Sequence, residues 1–295
     1  MEPLLLGAHL SIAGGVHRAA LRAAALRCTA LQIFTRSPAR WAAPVLSEKE
    51  AGQFRSLVER QQIRIVLAHA PYLINLASSD VVLRARSIAT MVDDLERCAR
   101  LGIRYLIVHP GSHGGAGKET GLRNVAGALQ EIFGRFGRRD VGVLLENTAG
   151  QGRQLGSRMK DLIRVGELAA PGSQEIGICL DVCHAFAAGY DVRSVDAYES
   201  LLREGRAVER IRAIHLNDSR GDFGSHRDRH EHIGEGGIGA AFFQRILQDV
   251  RFQDVPKIIE TPKMKDGKPW DAVNLRRLRR LAACRPSRSA RSGDP

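Results

Sequence analysis

The sequence predicts an α/β protein folded as one (β/α)8 barrel. Two observations carry that prediction. Eight short apolar runs alternate with eight longer amphipathic stretches, and polar side chains gather at the ends of the last six runs. The runs read as strands span 5–8, 30–34, 64–68, 105–108, 141–145, 176–180, 213–216 and 257–259. The intervening helical patterns span 14–27, 47–61, 79–101, 120–137, 157–169, 194–210, 239–249 and 270–283. Ser47 stands three residues before Glu50, a capping-box spacing that starts the second helix. An open, doubly wound sheet shares this local alternation. The count of eight and the placement of the polar residues favour the closed form. A single barrel domain is expected over residues 1–284, followed by an Arg/Ser-rich tail, 285–295, expected to be disordered.

A chain of 295 residues, 44% hydrophobic and 26% charged, has the length and balance of one globular barrel with a large core. Its formal charge of +12 favours a polyanionic partner. Half of that excess is local, because seven arginines and one acid lie between Arg276 and the last residue. The five cysteines are scattered and contain no C-x-x-C pair, which argues against a disulfide framework and against a thiolate zinc site. They read as buried apolar side chains, with Cys179 and Cys183 close to a candidate ligand segment. No apolar run approaches the ~20 residues that span a bilayer, and the first residues carry no basic leader or cleavage pattern. The expected setting is cytoplasmic, nucleoid-associated and away from membranes.

The chemistry lies where the strands end. His69 follows the third strand, His109 the fourth, Glu146 the fifth, Asp181 the sixth (with His184 three residues on), His215 lies in the seventh and Glu260 follows the eighth. The loop after the seventh strand adds Asp228 and His230. Strands of a barrel point one way, so these nine groups converge on its C-terminal rim, where barrel enzymes keep their active sites. Five imidazoles and four carboxylates exceed what one tetrahedral ion needs, and fit a cluster of roughly two or three divalent ions bridged by a carboxylate such as Glu146. Such a cluster suits phosphoryl transfer, in which adjacent cations neutralise phosphate oxygens and a leaving alkoxide. No G-x-S-x-G elbow and no P-loop is present; the segment GSHGGAGK lacks the P-loop spacing and reads as a flexible loop.

The segments HAPYLINL, HPGSH, ENTAGQG, DVCHAFAAGYD, HLNDS, DRHEHIGEG and ETPK together resemble the endonuclease IV family of apurinic/apyrimidinic (AP) endonucleases. The resemblance runs from GAHLSIAGG to ETPK, roughly nine-tenths of the chain. It implies a TIM barrel holding three zinc ions, with Mn2+ as an alternative occupant in part, and a monomer. One ion would be held by His69, His109 and Glu146. Glu146 would bridge to a second, held also by Asp181, His215 and Glu260. His184, Asp228 and His230 would hold the third. The implied reaction is hydrolysis of the phosphodiester 5′ to an abasic site, leaving a 3′-hydroxyl and a 5′-deoxyribose phosphate, with Glu146 as the catalytic carboxylate. Removal of groups that block 3′ ends is implied as well. The partner would be double-stranded DNA carrying either lesion. Tyr72 and Leu73 match the wedge that fills the gap left by an extruded abasic sugar, whose extrusion costs little because no base stacks there. A second DNA-contacting loop is FTRSPARW, with Arg36, Arg40 and Trp41; where the family commonly has arginine this chain has Ala39, and Arg36 and Arg40 are the cations expected to compensate. Val182 stands where the family often has threonine. His9 and Asn217 are expected to orient ligands from behind, and His113, His226 and His232 to be exposed.

Two rival functions share parts of this pattern. A sugar isomerase or epimerase on the same barrel would need fewer ligands and no wedge loop. A non-catalytic DNA-binding protein would need the basic charge but not the metal rim.

Overall fold

A computed structural model describes residues 4–169 and 175–284, so the predicted tail at 285–295 lies outside the described residues. Eight parallel strands close on themselves: β1 (Leu6–His9), β2 (Ala30–Phe34), β3 (Ile65–His69), β4 (Tyr105–Val108), β5 (Gly142–Glu146), β6 (Ile176–Asp181), β7 (Ile211–His215) and β8 (Lys257–Ile259). Each strand pairs with its sequence neighbours, and β8 returns to β1 through Leu6 opposite Lys257, which closes the barrel and excludes the open sheet.

The helices follow the amphipathic stretches. They are α1 (His17–Ala25), α2 (Glu48–Arg60), α3 (Val81–Leu101), α4 (Lys118–Phe136), α5 (Met159–Ala169), α6 (Val182–Ala187), α7 (Val195–Arg203), α8 (Ala240–Gln248) and α9 (Asp271–Ala283). The capping box at α2 forms as predicted: the Glu50 amide donates to Ser47 Oγ, and the Ser47 amide donates back to the Glu50 carboxylate at 2.9 Å. The short helix α6, starting directly at the end of β6, was not predicted. Six residues carry too little periodicity to register, and Asp181 starts it by accepting the His184 amide at 2.8 Å. Among the described residues no helix is long and apolar enough to cross a membrane.

Two cores follow from the alternation of strand side chains. One lies between the sheet and the helices; the other is a separate cluster of Ala30, Leu67, Tyr105, Ile107, Leu144, Cys179, Ala213 and Ile258. Side chains two positions apart share a face of a strand. Seven of these residues are therefore followed, two positions on, by a polar group on the same face: Gln32, His69, His109, Glu146, Asp181, His215 and Glu260. The apolar layer fills the barrel, and the next layer up is the candidate site. A bulge between β6 and β7, where Ile178 faces Ile211 but Cys179 faces Ala213, keeps Asp181 opposite His215.

Two expectations need correction. Cys284 is exposed, unlike the other four cysteines, because it follows the end of α9 at the surface. His232 is buried: its ring packs 4.7 Å from that of Trp270, and the Asn274 side-chain nitrogen lies 3.0 Å from its Nδ1.

Candidate metal centre

Glu146 ends β5 fully buried, and the imidazoles surround it. Its Oε2 lies 2.9 Å from His69 Nε2 and 3.5 Å from His109 Nε2, and its Oε1 lies 3.1 Å from His215 Nδ1. His215 Nδ1 is also 3.2 Å from Glu260 Oε2 and 3.8 Å from Asp181 Oδ2. On the third side, Asp228 Oδ1 is 3.2 Å from His184 Nε2 and 3.3 Å from His230 Nε2, while Asp181 Oδ2 is 3.5 Å from His230 Nε2. All nine predicted ligands therefore meet at one mouth. Their donor atoms fall into sets close enough to share an ion: His69, His109 and Glu146; Glu146, Asp181, His215 and Glu260; and Asp181, His184 and His230. Asp181 thus reaches towards both the second and the third set.

The tautomers decide whether these residues fit a metal. His69 Nδ1 donates to the Ala70 carbonyl at 2.7 Å, His184 Nδ1 to the Asn147 carbonyl at 2.9 Å, and His230 Nδ1 to the Glu260 carbonyl at 3.2 Å. His215 Nε2 donates to Gln32 Oε1 at 2.8 Å, an acceptor fixed because the Gln32 amide nitrogen donates to Glu260. In each ring the other nitrogen is left as a lone pair aimed at a carboxylate. Lone pair against carboxylate is repulsive unless a cation or a proton lies between them. The buried Nε2 atoms of His184 and His230 make no hydrogen bond at all. This is the arrangement that second-sphere acceptors impose on metal-binding histidines, and the residues fit divalent ions of the zinc class.

The electrostatics agree. Burial pushes Glu146 and Glu260 towards the neutral acid, but the surrounding imidazoles outweigh it and hold both well below the usual carboxylate range. Asp228 is drawn down to about 2: burial opposes the shift, and the close approach and charge of His184 drive it. Conversely, burial disfavours charge on His184 and His215, yet Asp181 and Asp228 around the first, and Cys179, Glu260 and Glu146 around the second, raise both well above the usual imidazole range. The cluster demands positive charge.

Behind the ligands lie fixed amides. Asn147 exchanges two bonds with the Asp181 backbone; Asn217 donates to Asp181 Oδ2 at 2.8 Å and accepts the Glu260 amide at 2.7 Å. Glu260 Oε1 accepts from His9 Nδ1 at 2.8 Å and from Gln32 at 2.7 Å. His9 and Asn217 thus lie against the predicted ligands Glu260 and Asp181, where a supporting role was expected. Gln32 and Asn147 were missed, though Gln32 carried a signal: a lone amide inside the apolar run ALQIF.

Tyr72 projects from the rim with 70% of its surface exposed and its ring 5.4 Å from Phe34 and 6.1 Å from His69. It divides two cavities. One of about 420 Å³ is lined by His69, His109, His184, Asp228 and the half-buried Leu73; the other, about 390 Å³, is lined by His9, Phe34, His230, Glu260 and Lys263. In the loop after β2, Arg40 is exposed and Trp41 is half-buried beneath the Arg86 guanidinium, 4.5 Å from the ring centre.

Arg36 is a correction. It is buried, bonded to Asp94 at 2.8 Å, to Asp93 and to the Trp41 carbonyl, so it fastens the loop to α3 rather than projecting from it, and it meets the outside only where it lines the second cavity. Arg40 alone among the two arginines faces outward. Of the remaining histidines, His113 is half-buried and His226 exposed.

Against known proteins, residues 20–283 match the family described as xylose isomerase-like TIM barrel. The chain is 45% identical over 278 residues to the probable endonuclease 4 of Chloroflexus aurantiacus, covering 93% of this chain and 97% of that protein. It is 47% identical over 281 residues to the probable endonuclease 4 of Oleidesulfovibrio alaskensis, covering 94% and 95%. The crystal structure of endonuclease IV from Thermus thermophilus superposes with a TM-score of 0.82 at 39% identity, covering 95% of this chain and 98% of that one. Since these matches run through every strand that supplies a ligand, the chain belongs to the endonuclease IV family, on a xylose isomerase-like TIM barrel.

Proposed function

We propose that this protein is a metal-dependent DNA-repair endonuclease that hydrolyses the phosphodiester 5′ to an abasic site, leaving a 3′-hydroxyl and a 5′-deoxyribose phosphate. Zinc is the resident metal in this reading, three ions per chain with Mn2+ acceptable in part, and the enzyme also clears blocked 3′ ends. It works as a monomer on double-stranded DNA, in the cytoplasm with the nucleoid. The observation that carries the reading is the ring of imidazole lone pairs locked by carbonyl partners around Glu146, in a chain whose relatives are named endonuclease 4.

The ligand residues divide the work. His69, His109 and Glu146 would hold one ion; Glu146, Asp181, His215 and Glu260 a second; His184, Asp228 and His230, with Asp181 alongside, a third. Ions bound there supply Lewis acidity towards a phosphate and an attacking water. The chain does the positioning. Glu146, with both oxygens engaged by different imidazoles, couples the first two sets. Gln32, Asn147 and Asn217 fix the ligand rings and carboxylates so that little reorganisation accompanies reaction. Tyr72, with Leu73 behind it, supports a wedge against the strand, and exposed Arg40 a backbone contact. A sugar isomerase on the same barrel would use neither the third set nor the projecting Tyr72.

The test is a duplex with a single abasic site, incubated with zinc-loaded protein and analysed for end chemistry. A cut on the 5′ side with a 3′-hydroxyl supports the proposal. Cleavage on the 3′ side, or turnover of free ketoses with no cutting, would refute it.

A further inference from the structure

We propose that Asp218 is the positioning residue that sets the third metal group, by clamping the loop that carries Asp228 and His230. The inference rests on reading the rim as a metal centre, and goes beyond it by assigning one residue control over one group.

After β7 the chain leaves the barrel at Asn217 and returns at the start of α8, an excursion with both ends gathered onto a single side chain. Asp218 is fully buried. Its Oδ1 accepts the amides of Ser219 and Ile238, each at 2.9 Å, and its Oδ2 accepts the Gly234 amide at 2.9 Å. The Gly239 amide lies 3.4 Å from both oxygens. A carboxylate supplied entirely by backbone N–H groups, with its charge at the N-terminal end of α8, holds the loop closed without a side-chain partner. Ser219 extends the closure, since its carbonyl accepts the Gly237 amide at 2.8 Å. The fit leaves no room: a Cβ at Gly236 would come within 2.4 Å of the Ser219 carbonyl and 2.5 Å of Asp218 Oδ1.

The clamp also sets the register of the ligands. Asp218 faces Glu231 and Ser219 faces His230 in a two-residue antiparallel ladder, and the Arg220 amide continues it to the Arg229 carbonyl at 2.9 Å. His230 therefore takes its place from a ladder that begins at Asp218, with Asp228 two residues further out. No residue between 220 and 231 is buried; this stretch is held at its far end by the Phe223 ring, 5.5 Å from that of Phe186, and by the Gly224 and His226 amides donating to the α6 carbonyls of Phe186 and Ala187, while the loop's buried apolar residues, Ile233 and Ile238, lie on the return side. Packing fixes the return limb, the α6 contacts fix the tip, and the clamp with its ladder fixes the segment that carries His230 back to the rim. His184 of the same group stands on α6, which starts directly from the end of β6.

The experiment compares metal content and zinc release into a chelator for wild type, Asp218→Asn, Gly236→Ala and, as reference, His184→Ala, with folding checked by circular dichroism. Asp218→Asn turns an amide donor towards backbone donors; Gly236→Ala disturbs the same clamp without touching the carboxylate. The expected result is folded protein of both variants that carries one ion fewer per chain than wild type, matches His184→Ala, and recovers the ion in excess zinc, with incision lowered ~10–100-fold until zinc is added. Wild-type metal content and release rate in a folded Asp218→Asn or Gly236→Ala would overturn the proposal. So would global unfolding of both, which would make Asp218 a support of the whole barrel. Wild type that takes up no metal would instead defeat the reading of the rim itself.

Discussion

The candidate metal centre has two halves built in different ways. His69, Glu146, Asp181 and His215 are the last residues of barrel strands, and His109 and Glu260 come one step beyond; each is positioned by a parallel ladder and by an apolar side chain two residues below. Asp228 and His230 ride on an excursion from the rim, and the Asp228 side chain is half exposed, whereas Glu146 and Asp181 are shut away. The difference teaches where rigidity comes from. A strand end inherits its place from the barrel core, whereas a loop residue must have its place made locally, by caps, ladders and buried carboxylates. The strand-borne half should be the harder to perturb by changes nearby and the more costly to lose.

Direct removal of a ligand gives the largest expected contrast. Glu146→Gln should lower incision by ~10³-fold or more, since it uncouples two sets of donors at once. Asp228→Asn should cost less, ~10²-fold, and should leave metal bound by the strand-borne residues. Quenched-flow or gel-based incision rates with metal analysis on the same samples check both, and equal losses would erase the distinction between the halves.

Acidity should act in opposite directions with and without metal. In the metal-free protein the imidazoles of His184 and His215 are raised above their ordinary value of 6.5, so protons stand in for cations. A base with a raised folded pKa adds stability that is complete below the unfolded value and lost as pH rises through the folded one. Metal-free protein should therefore lose thermal stability between neutral and alkaline pH on account of these groups. Metal-loaded protein should gain over neutral pH, because ligands must shed protons to bind. Melting curves of the two forms across pH measure this, and parallel slopes would contradict it.

Within the loop after β2 the comparison is between two arginines. Arg36→Met should destabilise the fold by about 3–5 kcal/mol, the cost of leaving buried Asp94 without its partner. Arg40→Ala should leave stability unchanged and reduce the slope of log binding against log salt by about one. Chemical denaturation and salt-dependent binding separate them. A smaller expected effect is on selectivity: Tyr72→Ala should weaken preference for abasic over intact duplex by ~10-fold with metal content unchanged. Equal loss of binding to both duplexes would place Tyr72 among general DNA contacts.

Much of this was legible in the sequence alone. Period-two placement is a property of the chain, so a polar group two residues after a buried Leu144 or Ile258 could be read as sharing its face, and the nine predicted residues do come together at the rim. Other features were not legible, for reasons of distance. The acids that bury Arg36 lie 57 and 58 residues downstream, and nothing local distinguishes it from the exposed Arg40. Asp218 looks like an ordinary loop acid, because the amides it collects come from residues as far as 21 positions away and belong to the backbone. Gln32 showed itself only as a polar residue out of place in a strand.

The central claim is that the nine side chains form one centre whose cutting of DNA requires metal. Its most direct test is to strip the protein with a chelator, confirm that it remains folded, and follow incision of a single-abasic-site duplex as zinc is returned. The account predicts no cutting by the stripped protein and recovery of cleavage on the 5′ side of the lesion as zinc fills the site. Undiminished cutting by protein shown to be metal-free, or none by folded protein with its zinc restored, would contradict it.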